Sequence, residues 1–298
     1  MTLEQLRIFV AVAERQHLTR AADALHLSPS AVSAALRTLE QRYGTRLFDR
    51  VGRGIELTEI GRHFLPEAKQ ALAAAAAAEL ALTERGGALK GRLAVAASQT
   101  VSAYWLPRPM LRFHAAHPGV TLDLAIGNTE TVTRAVRDGA ADLGFIEGEI
   151  DEPALAARLV AADRLVIVTA PDHPWAAGPV PTPAELAAGR WILRERGSGT
   201  RSAFEASLRG DGLDPSALDI AMTLPSNEAI LTALGAGPYA GVASERVAAS
   251  ALAAGRLRRI DYPLRPRPFR MLWHKERYRT RAARAFEALL PQAGEMEE

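Results

Sequence analysis

A run of local signals between residues 18 and 58 constrains the fold of this chain more than any other feature. Thr19 is a candidate N-cap for a short helix in which Ala21, Ala22 and Leu25 face inward. The following pair, His26-Leu27, suits a tight turn with the leucine buried beneath it. These residues predict one short helix that ends in a turn.

A second helix is predicted directly after this turn. Ser28 is a good N-cap and Pro29 a good first residue, since the N–H that proline lacks has no partner there. Apolar residues then recur at helical spacing, and Gly44 supplies a left-handed stop. The solvent side of this helix presents four groups that could enter a groove, namely Ser30, Ser33, Ala34 and Arg37. On the turn alone, an ordinary helical hairpin with polar residues outside is an equal alternative.

The next segment favours a nucleic-acid function. Leu47-Phe48 and residues 55–57 alternate like strands around a glycine-rich loop, which predicts a hairpin. Arg46, Arg50 and Arg53 fall in or beside the loop, where arginines can contact phosphates or a narrow minor groove. A solvated charge cluster is the alternative. Two helices followed by such a hairpin predict a winged helix-turn-helix, which places one helix in the major groove of DNA.

Residues 1–61 resemble the N-terminal domain of LysR-type transcriptional regulators. The matching segments are LEQLRIFVAVAERQHLTRAADALHLSPSAVSAALRTLEQRYGTRLFDR and the following LTEIG. The resemblance implies an α+β multidomain protein: a DNA-binding domain (1–61), a linker helix (58–87) and a two-lobed α/β effector domain (91–298) like a periplasmic binding protein. Within the head, we expect the four groove-facing residues to approach base edges, with Pro29 beside them. We expect the backbone phosphates to be held by Ser28, Arg50, Arg53 and Thr58.

Composition is compatible with this assignment without requiring it. The chain has 298 residues, 48% of them hydrophobic, and a net charge of only +2. Because residues 1–66 contain nine arginines and seven acids, phosphate binding must depend on where the charges lie. The absence of cysteine excludes sensing by a disulfide and fits a cytoplasmic protein. We expect neither a signal peptide nor a membrane span.

A long helix is predicted from Thr58 to about Arg85. Some 28 residues at ~1.5 Å each give a rod of about 40 Å. Its run of alanines, Ala73 to Ala78, has strong helix propensity and permits close helix packing. The preferred interpretation is a linker that forms a dimer, and the alternative is a helix folded onto its own domain. Gly86-Gly87 then ends the helix as a hinge.

From Gly91 onward, strand-like and helical segments alternate, which predicts largely parallel sheets. The strand-like segments are LAVAAS, TLDLAI, ADLGFI, LVIVTA, WIL, AGVAS and FRMLWHK. We expect one lobe from residues 91–160 and 268–298 and the other from residues 164–263. In the family, the effector lies in the cleft between such lobes.

Polar residues at predicted strand ends and helix starts are candidates for the cleft, because free backbone N–H groups and the helix dipole favour anions there. The candidate effector-binding residues are Ser98, Gln99, Thr100, Asn128, Glu147, Ser198, Gly199, Thr200, Arg201 and Asn227. Glu147 is a candidate for the rim of the cleft, with solvation as the alternative. The alternative for the hydroxyl and amide residues is that they only cap helices, which we favour for Thr129 and Ser226.

The effector class is suggested by a subgroup of the family. The segment RERGSGTR (194–201) resembles regulators of sulfur-oxyanion and carbon-fixation genes. This implies a small anion, or a phosphorylated or carboxylated metabolite. The sequence departs from the family at Gly237-Pro238-Tyr239-Ala240-Gly241, where a Gly-hydrophobic-Gly-Ile motif is common, and Tyr239 is expected to add bulk near the cleft.

The resemblance implies an allosteric regulator that binds an interrupted palindrome as a homodimer or homotetramer and acts on RNA polymerase. No cofactor is expected. A solute-binding protein would explain residues 91–298 but would give no role to residues 1–61. An enzyme is disfavoured, since the chain has no G-x-S-x-G elbow, phosphate loop or cysteine. His114 and His117 resemble an ordinary helix end more than a metal site.

Overall fold

The computed structural model describes residues 1–51, 54–83 and 89–291. The chain divides into two compact units. The first is Met1–Gly86 with the short segments Asp138–Ala140 and Glu276–Thr280, and the second is the remainder. Arg53 and Gly86-Gly87, for which the sequence predicts a DNA contact and a hinge, lie outside the described residues.

The first unit contains a helical cluster, a hairpin and a long helix. Its helices are α1 (Leu3–Arg15), α2 (Leu18–Leu25), α3 (Pro29–Tyr43) and α4 (Glu59–Thr83), and its antiparallel hairpin is β1 (Phe48–Val51) with β2 (Gly54–Leu57). Helix α4 continues through Pro66 for 25 residues, which is about 37 Å. Across the described part of the chain, no helix combines the length and hydropathy needed to span a bilayer.

Local capping chemistry sets most of these boundaries. Thr2 and Gln5 form a capping box at the start of α1, and the predicted Ser28 cap of α3 and left-handed stop at Gly44 are confirmed. The expected Thr19 cap of α2 is wrong. Helix α2 begins at Leu18, because the Nδ1 atom of His17 accepts a hydrogen bond from the backbone N–H of Arg20 at 3.4 Å.

Phe9 lies at the centre of the first unit. Its ring is fully buried and contacts Phe48 of β1 at 5.4 Å and Phe64 of α4 at 4.9 Å between centroids. Leu39 of α3 belongs to the same core. Leu3, in the first turn of α1, is 46% exposed and lies outside this core. One aromatic side chain therefore connects the helical cluster, the wing and the long helix.

The second unit contains two five-stranded sheets. The first has the order β4-β3-β5-β12-β6 and the second the order β11-β7-β10-β8-β9. The strands are β3 (Gly91–Ser98), β4 (Val120–Gly127), β5 (Leu143–Glu147), β6 (Leu155–Asp163), β7 (Leu165–Thr169), β8 (Arg190–Arg194), β9 (Asp219–Leu224), β10 (Ala240–Ser244), β11 (Arg258–Ile260) and β12 (Arg267–His274).

Both sheets are mixed, so the expectation of largely parallel sheets is wrong in part. Strand β3 runs parallel to β4 and β5, but β12 is antiparallel to both β5 and β6. In the second sheet, β8 is parallel to β9 and β10, whereas β7 is antiparallel to β10 and β11. The antiparallel pairs arise because the chain passes between sheets twice, from β6 to β7 and from β11 to β12.

Helices cover the two sheets. They are α5 (Gln99–Tyr104), α6 (Pro107–Ala116), α7 (Thr129–Arg137), α8 (Pro183–Ala188), α9 (Gly199–Gly210), α10 (Asn227–Leu234), α11 (Glu245–Ala253) and α12 (Arg281–Ala288). The core of the first lobe gathers Phe113, Phe145, Phe269 and Phe286. The core of the second is built around Trp191 and Phe204. Each lobe therefore has its own hydrophobic core.

Candidate functional site

The first turn of α3 presents small polar groups to solvent. Ser28 accepts a hydrogen bond from the N–H of Ala31 at 3.2 Å, and its hydroxyl lies 2.9 Å from that of Ser30. Ser30, Ala34 and Arg37 are exposed, as is Pro29, and Ser33 is half-buried. The exposed face can therefore approach a nucleic-acid groove without a bulky side chain in the way.

Two side chains fix the hairpin to the helices. The carboxylate of Glu40 on α3 accepts hydrogen bonds from the backbone N–H groups of Leu47 (2.8 Å) and Phe48 (3.2 Å). Thr58 donates its hydroxyl proton to the carbonyl of Arg46 and accepts from the N–H of Gly61, both at 2.9 Å. The Thr58 hydroxyl thus caps α4 and holds the hairpin, which leaves it less free for a phosphate than the sequence suggested. Arg50 is exposed on β1.

A polar edge runs along one end of the first sheet. Parallel strands β3, β4 and β5 all end there, and they bring Ser98, Asn128 and Glu147 to the same side. Because β12 is antiparallel to β5 and β6, its first residue lies at this edge, where Arg267 pairs in register with Asp163. The second sheet contributes the carboxyl ends of β8 and β10. Carboxyl ends of strands are the usual place for ligands in α/β folds.

Four hydroxyl residues predicted from the sequence lie where the lobes meet: Ser98, Thr100, Ser198 and Thr200. All four are at most 2% exposed. Ser98 and Ser198 occupy N-cap positions, yet neither side chain caps its helix, and the Ser98 hydroxyl has no hydrogen-bond partner within the described residues. Thr100 accepts from Asn227 at 3.3 Å, and Thr200 accepts from Arg267 at 2.9 Å. Both threonine hydroxyls therefore keep a proton to donate.

A buried ion pair of Arg267 with Asp163 lies at the base of the cleft between the lobes, which is called the floor below. The sequence did not predict this pair. Arg267 lies 2.8 Å (Nε) and 2.7 Å (Nη2) from the same carboxylate oxygen of Asp163. The other oxygen of Asp163 accepts from the Ser244 hydroxyl of the second lobe at 2.7 Å. The Arg267 and Asp163 side chains are 2% and 0% exposed. This group ties the two sheets together beside Thr200.

Glu147 is not a rim residue, because it is buried at 3% exposure. Its carboxylate accepts a long hydrogen bond from Thr129 at 3.4 Å and lies 3.9 Å from Nη2 of Arg267. Gly199 packs so closely that an added Cβ would lie 2.5 Å from the Glu147 carbonyl oxygen. The Glu147 backbone therefore lies next to the first turn of α9, and its carboxylate lies near Arg267.

Three amide residues predicted to bind the effector form hydrogen bonds from one lobe to the other. Gln99 donates to the carbonyl of Pro225 at 2.6 Å and accepts from the N–H of Asn227 at 3.1 Å. The Asn227 side chain accepts from buried Arg194 at 2.7 Å while donating to Thr100. Asn128 donates to Glu195 at 3.0 Å. Each of these amides is therefore paired across the cleft, and its contact with an effector stays a prediction.

Glu195 stays charged in this contact. Burial alone would raise its pKa, but hydrogen bonds from Arg194 and Asn128 outweigh burial, and the pKa of Glu195 falls below its ordinary value. A backbone hydrogen bond from Glu130 to Gly197 at 3.1 Å adds to the contact between the lobes. The described state is thus a closed cleft.

Two further residues lie elsewhere than expected. Arg201 donates to Glu205 at 2.8 Å and to the carbonyl of Arg194 at 3.2 Å, so its charge is used along α9. Tyr239 precedes β10 and packs on Arg190, whose guanidinium carbon lies 5.1 Å from the ring centroid. Since Arg190 begins β8, Tyr239 lies at the end of the sheet away from the cleft.

Comparison with known proteins places these features in a family. Residues 3–62 match the model "Bacterial regulatory helix-turn-helix protein, lysR family", and residues 86–295 match "LysR substrate binding domain". The chain is 38% identical over 289 residues to the uncharacterized HTH-type transcriptional regulator YeiE of Escherichia coli strain K12, covering 96% of each chain.

Two solved structures are similar in fold. Full-length OxyR from Pseudomonas aeruginosa superposes with a TM-score of 0.70 at 23% identity, covering 97% of this chain and 93% of that one. The regulatory domain of CcmR from Synechocystis PCC6803, in complex with 2-PG, gives 0.59 at 26% identity over 67% of this chain and 96% of that one. The chain belongs to the LysR family of transcriptional regulators, in which a DNA-binding domain is joined to a domain that binds a small-molecule effector.

Proposed function

We propose that residues 1–61 read an interrupted palindromic operator through the exposed face of α3. In this proposal Ser30, Ser33, Ala34 and Arg37 approach base edges, and Pro29 lies beside them. The phosphate contacts come from Ser28, Arg50 and Arg53, with Thr58 mainly supporting the hairpin. The exposure of small side chains on the first turns of α3, next to a hairpin held by Glu40, supports this assignment.

Replacing Arg37 by alanine is expected to weaken specific operator binding by about 1–3 kcal/mol, the range for a good base contact. Gel-shift titrations at fixed salt, with the operator and a scrambled duplex, measure the specificity ratio. Arg92→Ala is the control, because it removes an equal charge from an exposed pair with Asp123 on the first sheet. An unchanged specificity ratio for Arg37→Ala would count against the base contact.

The effector is proposed to be a small anion held between the lobes. The observation that carries this proposal is the set of four buried hydroxyls, at least two with an uncommitted proton, of which two lie at the start of α5 and two at the start of the 12-residue helix α9. Helix N-termini and hydroxyl donors bind anions without a free cation. The regulatory domain of CcmR, which is similar in fold, was solved in complex with 2-PG, which supports a small-molecule ligand for such a domain.

Thr100→Val and Thr200→Val are each expected to lower anion affinity by about 10- to 100-fold, since a hydrogen bond to a charged group contributes about 1.5–3 kcal/mol. Calorimetric titration with a panel of phosphate, sulfate, carboxylates and 2-PG measures the loss. Thr133→Val is the matched control, because within the described part of the chain the Thr133 hydroxyl donates to the carbonyl of Thr129 in its own helix α7 and to no other group. Full affinity in both cleft variants, or no binding by any anion in the panel, would refute the cleft site.

We propose that effector binding in the cleft regulates the action of the DNA-binding domain at the operator. An effector that prefers one lobe arrangement shifts the population toward it, and the linker helix (58–87) carries the change from the effector domain (91–298) to the DNA-binding domain. We further propose a cytoplasmic homodimer or homotetramer, formed in part through the linker, that acts on RNA polymerase. The alanine-rich surface of α4 supports close packing of helices.

A further inference from the structure

Glu147 is an unusual neighbour for a bound anion. Within the described residues, its buried carboxylate is contacted by the Thr129 hydroxyl at 3.4 Å, which also lies 3.2 Å from the Glu147 carbonyl oxygen, and by Nη2 of Arg267 at 3.9 Å. The first turn of α9, which would bind the anion, packs at Gly199 against the backbone carbonyl and Cβ of Glu147. The carboxylate approaches Arg267, which donates to Thr200 of the same turn. A negative group therefore lies beside the hydroxyl donors.

The nearby cation does not cancel this charge. Arg267 directs two nitrogens at Asp163 and a third at Thr200, so its charge is already shared with a carboxylate at 2.7 Å. A second cation, Arg246, also faces Asp163, with Nε 3.8 Å from the carboxylate, and it is 41% exposed. Among the described residues, the Glu147 carboxylate itself has only the shared Arg267 as a nearby cation, at 3.9 Å. A fully deprotonated anion next to Glu147 would meet repulsion in a poorly screened site.

An anion that carries a proton would meet the opposite situation. Its O–H could donate to Glu147 in a short, charge-assisted hydrogen bond, while its remaining oxygens accept from the hydroxyls and the N–H groups of α9. A repulsive element of this kind is a common source of specificity.

We infer that Glu147 is a specificity-determining residue that restricts the effector to oxyanions bearing a hydrogen-bond donor, such as a hydrogen phosphate, and rejects fully deprotonated ones such as sulfate. This inference rests on the proposed anion site in the cleft.

Calorimetric titration of the full-length protein with inorganic phosphate and with sulfate, near neutral pH and at equal ionic strength, tests it. Phosphate keeps a proton under these conditions and sulfate has none. The wild-type protein is expected to bind phosphate at least about tenfold more tightly than sulfate. Glu147→Gln offers an amide N–H in place of a carboxylate oxygen, so sulfate should gain about tenfold and phosphate should lose about tenfold.

Glu149→Gln is the matched control. It lies two residues further along, is 70% exposed and pairs with Arg270, so it should leave both affinities unchanged. Sulfate affinity equal to or above that of phosphate in the wild type overturns the inference even if Glu147→Gln does not fold. An unchanged ratio in a folded Glu147→Gln protein, or no heat with either anion, also overturns it. The cleft site itself would still stand if other anions of the panel bind and the threonine variants lose them.

Discussion

Replacing Arg267 by methionine is expected to lower the free energy of unfolding of the effector domain by about 3–5 kcal/mol, because it leaves the buried carboxylate of Asp163 without its partner. Asp163 would retain the Ser244 hydroxyl at 2.7 Å, which cannot neutralise a charge, and Arg246, whose Nε is 3.8 Å away on a 41% exposed side chain and therefore compensates weakly. Thr200 would lose a donor at the same time. Most of the expected loss of stability comes from leaving an unpaired charge in the interior. The lost contact itself contributes less.

The measurement exploits the distribution of tryptophan. All four tryptophans, Trp105, Trp175, Trp191 and Trp273, lie after residue 91, so denaturation followed by tryptophan fluorescence reports on the effector domain. A double variant with Asp163→Leu should recover a substantial part of the loss, since an apolar pair no longer needs a counter-charge.

Arg92→Met provides the control for this prediction. The Arg92 side chain is 67% exposed in its pair with Asp123, and exposed pairs contribute at most about 1 kcal/mol. If Arg267→Met lowered the free energy of unfolding no more than Arg92→Met does, the buried pair with Asp163 would not stabilise the junction of the two lobes as its burial indicates.

The head was predictable because its signals are local. Ser28, Pro29 and Gly44 act within one turn of the helix they delimit, and each occupies the expected position. The predicted Thr19 cap of α2 is wrong for a reason that is also local. His17 accepts a backbone N–H through its ring nitrogen, a capping role that residue type alone does not favour over threonine.

The cleft was predictable only in part. Strand ends followed by helix starts pointed to Ser98, Thr100, Ser198 and Thr200, since both features are local. Arg267 was missed because its partner Asp163 lies 104 residues away, across strands whose pairing the sequence did not reveal. Strand β6 was missed as well, because LAARLVAAD is rich in alanine and has only one β-branched residue.

Three polar residues predicted to contact the effector have a second role that the sequence did not reveal. Gln99, Asn128 and Asn227 have side chains suited to a ligand, and sequence position cannot decide between a ligand and the opposite lobe. In the structure each amide is paired across the cleft. In the closed cleft these three amides hold the lobes together, so they do not appear as unpaired ligand donors.

Replacing Phe9 by alanine is expected to destabilise the DNA-binding domain by about 3–5 kcal/mol, the usual cost of removing a buried phenylalanine. The ring contacts Phe48 of the hairpin and Phe64 of the long helix, so its loss weakens α1, the wing and α4 together. Small domains have total stabilities of about 5–15 kcal/mol, so the variant should lose operator binding at temperatures where the native protein binds.

Two probes separate this loss from any change in the effector domain. Thermal unfolding by far-ultraviolet circular dichroism should show a helical transition at lower temperature, while the tryptophan transition stays in place because residues 1–90 contain no tryptophan. Leu3→Ala is the matched control on the same helix, since Leu3 is 46% exposed and should cost less than about 1 kcal/mol. If the tryptophan transition fell with the helical one, the two units would unfold as one, and the aromatic contacts of Phe9 could not be assigned to the head alone.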